Sequence, residues 1–206
     1  METEIPNIDS TNINTSNIDD KNNYIHILNN ITEFVDQKEY TEALYNIDIY
    51  LNDDKLKLPM NIKFALNYIA GIICQNNMDD FDMSLPYYMK TYSEFGRIEG
   101  LLSVVKYYNN MKRTILAYSL SIVCLFTKEI PDINCDKFIY DYERYYVHSL
   151  ISLNMHKYGE CIENIKKCIE YLQPEMKEFS ENMESCKAIF EKANDLLLKE
   201  SSINKK

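Results

Sequence analysis

The sequence predicts an all-α chain, a right-handed α-solenoid of about four helix pairs closed by a C-terminal capping helix. Three observations lead there. Apolar residues recur at i, i+3, i+4 and i+7 along most of the chain, which is the period of one helix face. Only 4 Gly and 5 Pro stand among 206 residues, fewer than a turn-rich sheet protein uses. And four times an aromatic or medium-sized residue lies three positions before a small one at the start of a helical run: Tyr40/Ala43, Phe81/Ser84, Thr114/Ala117 and Tyr158/Cys161. The small members are spaced 41, 33 and 44 residues apart, close to the ~34-residue period of a two-helix repeat. An antiparallel bundle shares the helical periodicity; the aromatic-x-x-small registers favour the repeat.

The elements follow in order. Residues 1–22 are Asn, Thr, Ser and Asp with isolated Ile, and read as a disordered tail. Residues 23–200 read as the helical repeat domain. Tyr24, Ile27, Leu28, Ile31, Phe34 and Val35 mark the first helix; Tyr40, Ala43, Leu44, Ile47 and Leu51 mark the second, stopped by Asn52-Asp53-Asp54. Pro59 opens an apolar helix through Ile73, since proline is tolerated in a first turn. Phe81–Phe95 follows, with Pro86 near its start and Ser84 as the expected cap. Ile98–Tyr108 and Arg113–Phe126 form a third pair, and Phe138–Leu153 and Tyr158–Leu172 a fourth. Beyond Pro174, Met176, Phe179, Met183, Cys186, Phe190, Ala193 and Leu197 lie on one stripe of a final helix from Glu175 to about Lys199, with a charged opposite face suited to a cap. Residues 201–206 read as a frayed tail.

Composition bounds the function. A formal charge of −10 without a Lys/Arg stripe disfavours nucleic acid and anionic membrane as partners. The six cysteines are scattered without a CxxC pair, and five of them sit in apolar helical patterns, with Cys135 alone in a polar link. With a polar, acidic start to the chain, they predict a soluble protein of a reducing intracellular, cytoplasmic compartment. The Asn-x-Ser/Thr matches at Asn14 and Asn30 are chance matches in an Asn-rich chain.

No constellation for chemistry stands out. His148 and His156 lie eight positions apart without the spaced partners a metal needs, and His148 reads as satisfied or solvent-facing. A Gly-x-Ser-x-Gly elbow and a glycine-rich phosphate loop are both absent. No catalytic residue, metal or cofactor is therefore assigned, and the chain reads as a non-enzyme. In Tyr140-Asp141-Tyr142-Glu143-Arg144-Tyr145-Tyr146, the tyrosines read chiefly as packing between helices, with groove recognition as the sharper alternative.

The segment Gly96–Ile169 resembles the tetratricopeptide-like region that accompanies family-2-type glycosyltransferase domains in bacteria and large DNA viruses. The matching positions are Arg97, Tyr107, Tyr108, Ala117, Tyr118, Tyr140, Asp141, Tyr142, Tyr158 and Ile162. They cover about a third of the chain, and Tyr24–Leu51 matches more loosely. Thr114 stands where that pattern has an aromatic, and Cys161 where it has Ala. The Asn and Ile excess suits an AT-rich source such as a giant virus. A transferase domain with its Asp-x-Asp metal motif is not part of the match, so the resemblance implies a stand-alone repeat relative without that activity, with a glycosyltransferase as one candidate partner.

Tetratricopeptide geometry puts the first helix of each pair on the concave side. It thereby nominates Thr32 and Asp36, then Asn76 and Asn77, then Lys106, Asn109 and Asn110, and last Glu143, Tyr146 and Asn154. Amides both donate and accept, so such a groove suits an extended peptide backbone. The expected function is a non-catalytic scaffold docking a protein or peptide partner, the alternative being an accessory subunit or remnant of a glycosyltransferase system.

Overall fold

A computed structural model describes residues 18–130, 136–174 and 178–203, with side chains from Tyr24 onward. Within them the secondary structure is helical, without a strand: α1 (Ile18–Asp36), α2 (Tyr40–Asn52), α3 (Met60–Ile72), α4 (Phe81–Ser93), α5 (Glu99–Asn110), α6 (Thr114–Phe126), α7 (Arg144–Asn154), α8 (Tyr158–Tyr171) and α9 (Phe179–Ile203). Two five-residue π-helical segments, Ile73–Asn77 and Ile139–Glu143, extend α3 and precede α7. The all-α expectation holds throughout the described residues.

α2, α4, α6 and α8 begin on Tyr40, Phe81, Thr114 and Tyr158, the first members of the four sequence pairs. The small members Ala43, Ser84, Ala117 and Cys161 are each fully buried. A residue on the packed stripe of the first turn sets how closely the neighbouring helix approaches, so these positions stay small.

The turns before these helices share one geometry. Lys38, Lys112 and His156 are left-handed, with φ of 62°, 58° and 60°, and each sits two residues before its helix. Lys38 N–H bonds the Val35 carbonyl and Glu39 N–H the Phe34 carbonyl; Lys112 and Arg113 repeat this to Asn109 and Tyr108, and His156 and Lys157 to Leu153 and Ser152. Each is a Schellman motif, in which a left-handed residue lets two N–H groups satisfy the orphan carbonyls of the preceding helix. The turn before α4 is one residue wider. Asp79 has φ 55°, but Asp80 N–H reaches back six residues to the Cys74 carbonyl. The π-helical turn at Ile73–Asn77 absorbs the extra residue.

Three boundaries differ from the sequence reading. α1 begins at Ile18, so residues 18–22 of the expected tail are helical. α9 begins at Phe179 and runs to Ile203, overlapping the tail expected at 201–206; Glu175 and Met176 lie outside the described residues, as do residues 1–17, Cys135 and 204–206. Ser84 is not the cap of α4. Asp80 caps it, accepting from Met83 N–H at 2.9 Å, while buried Ser84 donates to the Phe81 carbonyl. A carboxylate one residue outside the helix is better placed for a free N–H than a hydroxyl already inside it.

The described residues form two compact units, one up to Gly100 and the other from Leu101 on. In the first, α1 packs on α2, α2 on α3 and α3 on α4. Its core joins Tyr24, Ile27 and Ile31 of α1 to Ile47 of α2 and Ile62, Leu66 and Ile69 of α3. Each such aliphatic side chain contributes about 1.5–3 kcal/mol on burial. In the second, α6 packs on α7, α7 on α8 and α8 on α9. There Tyr142, Ile165, Cys168, Cys186 and Ala193 share one apolar cluster, so the stripe expected on the last helix is its buried side.

Candidate functional site

The densest polar assembly of the second unit joins α6, α7 and α8. Ala117 and Cys161 draw helices close at their first turns, and Tyr118, Ser121, His148, Lys157 and Glu160 fill the space beside them. Ser121 Oγ lies 2.8 Å from the Tyr118 carbonyl and 2.8 Å from His148 Nδ1. His148 Nε2 lies 2.7 Å from Glu160 Oε1. Tyr118 donates its hydroxyl to Glu160 Oε2 at 2.9 Å and accepts from Lys157 Nζ at 2.8 Å. The Lys157 ammonium also stands 4.3 Å over the Tyr118 ring.

The protonation of this chain of groups follows from its surroundings. Burial pushes His148 below its ordinary pKa, and the hydrogen bond to Glu160 opposes this without reversing it. Burial alone would raise Glu160, but the hydrogen bonds from His148 and Tyr118 outweigh it and leave the carboxyl below its ordinary range. A neutral ring beside an ionised carboxylate then carries its proton on Nε2 and donates it to Glu160. Nδ1 accepts from Ser121, whose single hydrogen also serves the Tyr118 carbonyl.

Serine, histidine and glutamate in one hydrogen-bonded series have the composition of a nucleophilic triad. The geometry denies them that role. Ser121 and His148 are both fully buried, so the hydroxyl has no open side for an electrophile. The assembly ties three helices together, and His148 is the satisfied histidine of the sequence reading.

The nominated groove residues divide between the units. In the first, Thr32 and Asp36 are exposed on α1, and Asn76 and Asn77 are exposed at the end of the π-helical segment. Thr32 spends its hydroxyl on the Leu28 carbonyl. In the second, Lys106 and Glu143 come together, with Lys106 Nζ 2.5 Å from Glu143 Oε1. The only cation nominated for the groove is thus already paired, across α5 and the π-helical segment before α7. Asn109 is half-buried, its Oδ1 enclosed and without a hydrogen-bond partner, while Asn110 and Asn154 are exposed. Tyr146 is half-buried and stacked on Tyr142, the ring centroids 5.6 Å apart, which is the packing expected of this tyrosine cluster.

Other polar and thiol groups serve the interior. Arg97 and Glu99 form a buried ion pair, with the guanidinium 3.5 Å over the Phe64 ring. The five described cysteines are all buried. Burial pushes Cys74 and Cys161 up to about 11 and Cys124 up to about 12, which disfavours the nucleophilic thiolate. Asn30, one of the two glycosylation-like matches, donates to the Tyr50 hydroxyl at 2.9 Å. No helix among the described residues is long and apolar enough to cross a membrane.

Comparison with protein-family models, with curated proteins and with solved structures finds no match to this chain.

Proposed function

We propose that this chain is a non-catalytic, tetratricopeptide-like scaffold whose helix pairs present a polar groove to a protein or peptide partner. One observation carries the reading: the same left-handed turn, followed by a helix with a fully buried small residue at its fourth position, occurs four times, once in a form one residue wider. Recurrent joints that each set a helix pair are what a repeat architecture requires, since every pair buries its face only against its neighbours. The exposed amides Asn110 and Asn154 and the half-exposed Lys106–Glu143 pair supply donors and acceptors suited to a peptide backbone. The resemblance names one class of partner to look for, a family-2-type glycosyltransferase.

The test compares affinity capture by the parent chain with capture by an Asn110→Arg, Asn154→Arg double variant. Both positions are exposed, so helicity measured by circular dichroism stays unchanged. A partner held by the parent and lost by the variant supports the groove; equal recovery by both overturns it.

A further inference from the structure

We propose that a second docking surface, separate from the groove, lies in the first unit between α2 and α4, and that it takes a basic amphipathic peptide segment. A surface cleft of about 620 Å³ opens there, lined by Asp48 of α2 and by Asp80, Asp82, Met83, Pro86, Tyr87 and Lys90 at and along α4. That volume is within the range of small-ligand sites.

The cleft is walled by carbon and edged by charge. Met83 is 43% exposed and Pro86 lies open beside it. The apolar surface continues out of the cleft on both helices. On α2, exposed Tyr45 (66%) lies three positions before Asp48 on the same helix face, and Ile49 lies one turn on from Tyr45; on α4, Met89 lies one turn on from Pro86. Unbranched, polarisable methionines on an open surface adapt to varied apolar side chains. Tyr87 donates its hydroxyl to Asp48 at 3.1 Å, linking the two helices and fixing the cleft floor.

Charge complementarity selects the occupant. Three carboxylates face one ammonium, Lys90. A divalent cation does not fit: no group of three or more His, Cys, Asp or Glu among the described residues is gathered closely enough to hold one. Asp80 moreover spends an oxygen on the Met83 N–H. Dispersed carboxylates bordering exposed carbon suit a segment with lysine or arginine on one side and aliphatic residues on the other, its apolar face seated on Met83 and Pro86.

The experiment titrates a fluorescein-labelled amphipathic peptide of lysine and leucine, and its glutamate–leucine counterpart, onto the full chain, read by fluorescence anisotropy. Saturable binding is expected for the lysine peptide alone. The Asp48→Asn, Asp82→Asn double variant is expected to weaken it about 2- to 30-fold, at about 0.2–1 kcal/mol per surface pair. The Glu181→Gln, Glu191→Gln variant of exposed α9 positions removes the same charge elsewhere and is expected to leave the affinity unchanged. Met83→Lys, at an exposed wall position, is expected to weaken binding independently of the aspartates. Absence of saturable binding overturns the proposal. So does equal weakening by the two charge variants, which would show general attraction to an acidic chain.

Discussion

Tyr88 lies flat against the bare Cα of Gly71: a methyl group built on Gly71 would stand 2.4 Å from Tyr88 Cε1 and 2.5 Å from Cδ1. Tyr88 is 1% exposed, so the ring has nowhere to retreat. Gly71 is the penultimate residue of α3, and the π-helical segment continues the helix beyond it, so glycine there otherwise costs roughly 0.5–1 kcal/mol relative to alanine. Here the close approach of α4 outweighs helix propensity. Gly71→Ala is expected to destabilise by about 1–3 kcal/mol through overpacking, read as a lower melting temperature. An unchanged or higher melting temperature would show that α3 and α4 are not packed this closely.

The left-handed residues of the turns are lysine, aspartate and histidine, although glycine is the residue that adopts this conformation without cost. A side chain there costs roughly 1–2 kcal/mol. Lys112 is exposed, with φ 58°, so Lys112→Gly removes that strain while losing no packing. Net of glycine's greater unfolded-state entropy, a stabilisation of about 0.5–1 kcal/mol is expected. A rise of about 1–4 °C in thermal denaturation checks it. Lys112→Val, a β-branched residue at positive φ, is expected to do the opposite.

Two residues near the start of α6 separate packing from surface. Ala117 is fully buried, whereas Ile115 is 74% exposed. Ala117→Leu is expected to cost about 1–3 kcal/mol by forcing α6 away from its neighbours. Ile115→Ala is expected to stay within about 0.5 kcal/mol of the parent. Urea denaturation of both variants reads the difference; similar midpoints would contradict the packing of α6.

The buried histidine gives stability a pH dependence with a definite sign. His148 and Glu160 are both held below their ordinary pKa values in the folded chain. A group whose folded pKa is depressed contributes stability that is present above its unfolded pKa and is lost as pH falls. For His148 the loss therefore begins as pH drops through about 6.5, the ordinary histidine value, and Glu160 adds to it at lower pH. NMR titration of the His148 ring is expected to give a midpoint below 6.5, and the melting temperature is expected to fall over the same acidic range. A midpoint at or above the ordinary value would contradict the neutral tautomer.

Much of the chain's organisation was legible in particular residues. Tyr40, Phe81, Thr114 and Tyr158 announced four helix starts because an aromatic or medium-sized residue three positions before a small one is visible without tertiary information. The left-handed geometry of the turns was hidden because Lys38, Lys112 and His156 carry none of the glycine or asparagine that signals positive φ. The π-helical turn at Ile73–Asn77 was hidden for another reason: Ile72, Ile73 and Cys74 continue the apolar run of α3, and an inserted residue leaves that run unbroken. Nor could spacing reveal the link between Ser121, His148 and Glu160, since they lie on three helices and meet only through packing. The pairing of Lys106 with Glu143 is of the same kind, 37 residues apart in the chain.

Transplanting a turn tests the repeat reading, on which the proposed function rests, most directly. In the chimera, Gln37-Lys38-Glu39, which joins α1 to α2, replaces Met111-Lys112-Arg113 between α5 and α6. If the two turns are the same joint, the chimera keeps its helicity and melts within about 4 °C of the parent, a change of roughly 1 kcal/mol. Loss of helical signal, or a fall in melting temperature several times larger, would show that the turns are not interchangeable and would contradict the repeat.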